Sequence, residues 1–317
     1  MKNLAPIVLF VYNRPKHTQD MIEALAKNNF AKESDVYIFS DNAKKEKDIE
    51  NVRKVRTYID SIKQKNWFAN VYIEKAEKNK GLAKSVINGV TKVINKYDKV
   101  IVLEDDLIPS KVFLEYMNKA LDFYEKKESI WSISGYNIPI QIPKNYKFDI
   151  YLGYRGCSWG WATWKDRWNT VDWKVSDYKE FKNNYKKRKQ MNRGGPDMAQ
   201  MLDSQMQGLC DSWAIRWCYE QSKQNKYTIY PVKSLVINQG LDGTGTHSGT
   251  TKDFDVEISE RIPELYNNLP VDKEITTNFY NKYKLGIKQK IIEILMILKL
   301  EKIIELRQTM KSKKTKN

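Results

Sequence analysis

The first hundred residues alternate between two hydrophobic periods. Residues 6–12 (PIVLFVY) are an unbroken apolar run, as expected of a strand buried on both faces. After Pro15, apolar positions recur at Met21, Ile22, Leu25 and Ala26, which predicts a helix. Residues 35–40 (DVYIFS) predict a second strand, and Ile49, Val52, Val55, Ile59 and Ile62 stripe a second helix. A third strand follows at Asn70–Ile73, and a third helix after Gly81 carries Leu82, Val86, Ile87, Val90 and Val93. Lys99–Leu103 (KVIVL) is the fourth strand. Such alternation predicts right-handed crossovers and an α/β fold with a mainly parallel, twisted sheet flanked by helices.

In sheets of this kind ligands bind outside the carboxyl ends of the strands. The residues leaving those ends are Asn13 and Arg14, then Asp41, then Glu104, Asp105 and Asp106. Further on, Ser110 is placed to cap a helix whose apolar face runs from Val112 to Tyr124. Trp131–Ser134 predicts another strand, and residues 135–175 lose regular periodicity. Residues 177–193 predict a basic helix with a loop, residues 211–222 a helix, and residues 228–237 an interrupted strand. A glycine-rich loop, GLDGTGTHSG, follows at 240–249. From Ile287 to Leu306 isoleucines and leucines recur among lysines, and the chain ends in KSKKTKN. That pattern predicts a basic amphipathic helix with a cationic tail, suited to an anionic membrane surface or to packing as an ordinary helix.

Composition narrows the class. With 317 residues, 41% hydrophobic and 30% charged, the chain is globular and long enough to bury a core without disulfides. Its three cysteines have no metal or CxxC spacing, which points to a reducing compartment. The N-terminal apolar run stops at Tyr12, and no stretch approaches the ~18 apolar residues of a membrane span. A cytoplasmic location is therefore expected, with peripheral attachment to the inner membrane face through the C-terminal helix. The formal charge of +16 favours a polyanionic partner, whether nucleic acid, anionic lipid or a phosphorylated ligand.

Four features carry candidate chemistry. The first is VIVLEDDLIPS, an apolar strand ending in three consecutive carboxylates. Adjacent acids repel, and a divalent cation with open positions for phosphate oxygens, Mg²⁺ or Mn²⁺, is one way to hold them together. A solvated turn is the plainer reading. The second is the crowding of seven of the nine tryptophans between 159 and 217. Indole faces suit the C–H faces of sugars, and Trp159, Trp161 and Trp213 are candidates for such a platform within what is otherwise an aromatic core. The third is the glycine-rich loop, whose backbone can approach phosphates and whose His247 can ligate a metal. The fourth is Asp211, placed to cap the helix that follows it and to stay ionised as a general base.

A metal-dependent nuclease or nucleotidyltransferase would use the same acids. A basic nucleic-acid-binding protein would use the charge, but it leaves the acidic strand end unexplained, and the lysines are spread over the whole chain. No nucleic-acid partner is expected on that account. An inactive relative serving as a membrane scaffold is the remaining reading.

Taken in order, PIVLFVYNRPKH, IFSDNAKK, VIVLEDDLIPSKVFLEYM, CDSWAIRW and GLDGTGTHSG resemble inverting, metal-dependent glycosyltransferases of the GT-A fold. The likeness is to the N-acetylglucosaminyltransferase I type and to bacterial sugar transferases of capsule and O-antigen loci. It implies a Rossmann-like sheet, with residues 1–134 binding the nucleotide sugar, residues 135–285 forming the acceptor half, and residues 286–317 the basic helix and tail. It also implies Asp41 at the uracil of a UDP-sugar, Asp106 on Mn²⁺ or Mg²⁺ as a variant of the DxD motif, and Glu104 and Asp105 towards ribose, sugar or metal-bound water. Asp211 would be the base that deprotonates a hydroxyl of a glycan acceptor, free or lipid-linked. Asn13, Arg14 and Lys84 would lie about the nucleotide sugar, the two basic residues adding electrostatic stabilisation. One departure is Ser212, where the family pairs a second acid.

Overall fold

The computed structural model describes residues 4–243, 251–287, 289 and 291. His247 and most of the expected C-terminal helix and tail lie outside the described residues. The first half follows the predicted alternation: β1 (Ile7–Val11), α1 (Pro15–Ala26), β2 (Asp35–Ser40), α2 (Ile49–Ile62), β3 (Asn70–Lys75), α3 (Leu82–Tyr97) and β4 (Lys99–Glu104). These four strands pair in parallel in the order β3-β2-β1-β4. β1 is buried along its whole length, as its unbroken apolar run requires. Its odd-numbered residues Ile7, Leu9 and Val11 pack with α1, α2 and the helix after β4, while Val8 and Phe10 pack with α3 on the opposite face.

The second half is less regular and contributes β5 (Leu107–Pro109), α4 (Phe113–Tyr124), β6 (Ile130–Ser134), β7 (Ile150–Gly153), β8 (Trp161–Trp164), α5 (Lys165–Trp168), α6 (Tyr178–Lys182), α7 (Tyr185–Met191), α8 (Met198–Met206), α9 (Trp213–Lys223), β9 (Tyr227–Pro231), β10 (Val236–Asn238) and α10 (Lys273–Lys282). The eight-stranded sheet continues β4-β8-β6-β9-β7. β8 runs antiparallel to both β4 and β6, and β9 is parallel to β6. The sheet is therefore mostly parallel, and each antiparallel pair includes a strand of the second half. The predicted interrupted strand divides between two sheets: β9 joins the large one, and β10 pairs with β5 in a small antiparallel ribbon. β7 and β8 fall within the aperiodic stretch, because both are short and buried at every position and so carry no alternation to read.

Two local expectations are corrected. Ser110 does not cap α4 with its side chain; the helix begins at Phe113, and the Ser110 carbonyl accepts the Phe113 N–H at 3.1 Å. Ser212, not Asp211, caps α9, its hydroxyl accepting the Ile215 N–H at 3.3 Å. Six tryptophans build a second core between α3, β8 and α9, with Trp161 stacked on Trp168 and Trp213, and Trp131 against Trp217. No helix among the described residues is long and apolar enough to cross a membrane.

Candidate functional site

The carboxyl ends of β1, β2 and β4 converge as the parallel sheet demands. Asn13 and Arg14 leave β1, with Pro15 opening α1. Arg14 Nη2 donates to Asp106 Oδ2 at 3.0 Å and forms a second, shorter ion pair with Asp105. Asp105 is buried, and the Asp106 side chain is 15% exposed. Glu104, the last residue of β4, is half-buried behind them. Burial, with the neighbouring Asp106 and Asp105, pushes its carboxyl up to about 8 against the pull of Arg14. Burial also raises Asp105, although its ion pair with Arg14 opposes the shift.

This cluster tests the expected metal. Asp105 and Asp106 both pair with the Arg14 guanidinium, and Glu104 beside them is held raised first by burial and then by these two carboxylates. Among the described residues no group of three or more His, Cys, Asp or Glu side chains is placed to hold a metal ion. A hard cation held by one or two carboxylates and completed by substrate phosphates needs no such group. The residues fit Mg²⁺ or Mn²⁺ in that manner, with Asp106 the carboxylate nearest the surface. Arg14 Nη1 is buried without a partner among the described residues, leaving a donor at the same place.

Asp41 follows β2 and is held by a tight turn. Its carboxylate accepts the Lys80 N–H at 2.9 and 3.1 Å and the Gly81 N–H at 2.9 Å. Gly81 has φ +78°, a backbone conformation costly for other residues, and it caps α3. A cavity of about 230 Å³ opens beside Asp41, lined also by Phe39, Lys80, Ser85 and Asn88. Lys84 is exposed on the first turn of α3.

Asp211 reaches the same place from the other half of the chain. Its Oδ2 lies 4.0 Å from where a Cβ on Gly81 would stand, over the turn that holds Asp41. The side chain is 63% exposed and pairs with Arg216 at 3.1 Å. Arg216 is fixed in turn by the carbonyls of Ser212 and Trp173, at 3.1 and 3.2 Å.

The structure thus brings Arg14, Glu104, Asp105 and Asp106 together, and sets Asp211 against the Asp41 turn. The three tryptophans separate. Trp159 is half-buried and lines a cavity. Trp161 and Trp213 are 1% and 3% exposed and stack on each other at 5.1 Å inside the indole core, so neither presents a face to a sugar. Their burial corrects the platform expected of them.

Three supporting residues escape sequence reasoning. Asp48, ahead of α2, accepts from the Tyr12 hydroxyl and the Asn13 amide, both at 3.0 Å, and so fixes the loop after β1. Burial works against its charge, yet these hydrogen bonds and one from the Lys45 N–H outweigh it and hold the carboxyl below its ordinary range. Gly240, after β10, lies hard against Asp106. Arg216 clamps Asp211. Gly240 stands in the glycine-rich loop singled out by sequence, but its contact with Asp106 is tertiary and leaves no local pattern.

The sequence matches the GNT-I family over residues 1–201. No curated protein matches it. Among solved structures, residues 1–349 of TarS from S. aureus are similar at 12% identity and a TM-score of 0.41, over 73% of this chain and 59% of that one. The same TarS fragment in complex with UDP-GlcNAc gives 11% identity and a TM-score of 0.38, over 73% and 57%. The mannosyltransferase PcManGT from Pyrobaculum calidifontis, in complex with GDP-Man and Mn²⁺, gives 9% and 0.32, over 52% and 46%.

Proposed function

The chain belongs to the GNT-I family of glycosyltransferases, and from that premise we propose that it is a metal-dependent, inverting transferase moving a sugar from a nucleotide sugar to a hydroxyl of a glycan acceptor. A UDP-sugar is the preferred donor, and bacterial surface polysaccharide synthesis the setting. The observation that carries the reading is the placement of Asp211, from the second half, over the Asp41 turn of the first, while Arg14 holds Asp105 and Asp106 at the end of β4. Residues 1–134 form the nucleotide-sugar half, residues 135–285 the acceptor half, and residues 286–317 the attachment to an anionic membrane surface on its cytoplasmic side.

In this mechanism Asp41 lies at the base and Asn13 at the nucleotide, with Lys84 above the first turn of α3. Asp106, with His247 from outside the described residues, would hold Mn²⁺ or Mg²⁺, and the bound ion would neutralise the diphosphate. Arg14 keeps Asp105 and Asp106 aligned and offers its unpartnered Nη1 to a phosphate oxygen. Asp211, solvent-facing and held by Arg216, takes the proton of the acceptor hydroxyl. The acceptor oxygen bonds to the anomeric carbon as the bond to the diphosphate oxygen breaks on the opposite face, which inverts the centre.

Thermal unfolding with UDP-, GDP-, CMP- and TDP-sugars, with and without Mn²⁺, tests this reading. A ligand at 100 times its Kd adds about 2.7 kcal/mol, several degrees for a chain of this size. A shift requiring both a UDP-sugar and the metal is expected. Stabilisation by DNA or RNA with silence from every nucleotide sugar would refute the assignment.

A further inference from the structure

A cavity of about 350 Å³, within the size range of small-ligand sites, lies between the Arg155–Trp159 segment, Leu241 and Phe254. We propose that it is the subsite for a neutral pyranose ring of the acceptor. Calling that ring the acceptor's rests on the glycosyl-transfer reading above; binding of the ring does not.

Its position comes from two chain connections. Leu241, on one wall, directly follows Gly240, which lies against the Asp106 carboxylate. Gly156, also in the lining, abuts Trp217 in the second turn of α9, the helix that follows Asp211. The lining is thus joined through Leu241 to the neighbour of Asp106 and through Gly156 to the helix that follows the proposed base.

Its chemistry comes from the lining. The Trp159 ring is held by edge contacts with Tyr136 and Phe254, at 4.7 and 5.6 Å. Tyr230, Tyr283 and Ile138 supply further apolar surface. Arg155 is the one charged residue among the described residues of the lining, and it is neutralised: Asp197 binds it through both carboxylate oxygens, at 2.8 and 3.1 Å, and Tyr283 covers it at 4.0 Å. Among the described residues of the lining an anionic ligand would find no uncommitted cation. A ring with an apolar C–H face matches the indole, and its hydroxyls match Ser158 and Thr251 at the half-buried mouth.

The test uses the full chain and saturation-transfer NMR with the methyl glycosides of glucose, galactose, N-acetylglucosamine and glucuronic acid, with and without UDP and Mn²⁺. At least one neutral glycoside is expected to bind. Trp159→Ala should weaken it roughly tenfold, about 1.4 kcal/mol of lost stacking, with UDP affinity unchanged. Ser158→Trp, which fills the mouth and keeps the Trp159 contacts, should do the same if the alanine variant fails to fold. Absence of neutral-glycoside binding, equal binding by the variants, or preference for the glucuronide would each overturn the proposal. So would displacement of the glycoside by a UDP-sugar but not by UDP, because the cavity would then hold the donor's sugar. Glycoside binding that needs Trp159, in a protein that transfers no sugar from any donor, would sink the transferase reading and leave the subsite standing.

Discussion

The Asp106 carboxylate fills the space where any side chain at Gly240 would begin: a Cβ there would clash with Asp106 Oδ2 and stand 3.1 Å from Arg14 Nη1. The Gln239 N–H also donates to the Asp106 carbonyl at 2.8 Å, so the strand-end acids and the chain leaving β10 are locked together. Glycine is required at 240 for this approach.

Gly240→Ala should therefore push Asp106 off its position while the fold survives. Displacing a group that orients a metal ligand typically costs roughly 10–100-fold in metal affinity. A loss of that size in Mn²⁺-dependent UDP-sugar binding is expected by calorimetry, with the unfolding temperature of the metal-free protein little changed. An unaltered Mn²⁺ dependence would separate Gly240 from the site.

Glu104 makes stability depend on pH. The unfolded side chain releases its proton near its ordinary value of 4.5, whereas the folded one holds it to about 8. Across that window the folded chain binds more protons than the unfolded chain, so stability falls as pH rises and levels off above it. In EDTA, the midpoint of urea unfolding should decline between pH 5 and 8, and Glu104→Gln should flatten the decline. A wild-type profile that rises over this window would contradict the half-buried setting of Glu104 beside Asp105 and Asp106.

The first half of the chain was legible because every element there has a simple period. β1 and β4 are unbroken apolar runs, α2 and α3 are single stripes, and ligand positions follow from where parallel strands end. That rule singles out Arg14, Asp41 and Asp106, which lie at the ends of β1, β2 and β4. The second half was harder because its short strands, such as β7 and β8, are buried at every residue and show neither period. Trp159 and Trp161 are two residues apart and chemically identical, yet one lines a cavity and the other is sealed beneath Trp168, Trp213 and Trp217. Only tertiary packing separates them. The clamp of Arg216 on Asp211 likewise depends on the Trp173 carbonyl, 43 residues away in sequence.

Trp217 tests whether the indole cluster is structural. It is 1% exposed and touches Trp131, Trp161 and Trp168 at centroid distances of 4.3, 5.7 and 5.1 Å. Trp217→Ala should cost about 3–5 kcal/mol, the usual loss for a large buried aromatic, read from urea unfolding. A loss below about 1 kcal/mol would place the ring outside a packed core.

In the proposed mechanism Asp211 acts as the base and Arg216 positions it. Asp211→Asn keeps the shape and hydrogen-bonding capacity of the side chain but removes its ability to accept a proton from a hydroxyl. Loss of a general base typically costs roughly 10²–10⁴-fold in rate. Transfer should fall by that factor in single-turnover assays, while UDP-sugar binding, which the variant leaves to Arg14, Asp41 and Asp106, stays within error of wild type. Arg216→Lys retains the positive charge but loses the planar fork that bonds Ser212, Trp173 and Asp211 at once. It should lower kcat less than Asp211→Asn does, because the base is present and misaligned rather than removed. If Asp211→Asn transfers sugar at the wild-type rate, the proton leaves by another route, and the position of Asp211 over the Gly81 turn is structural.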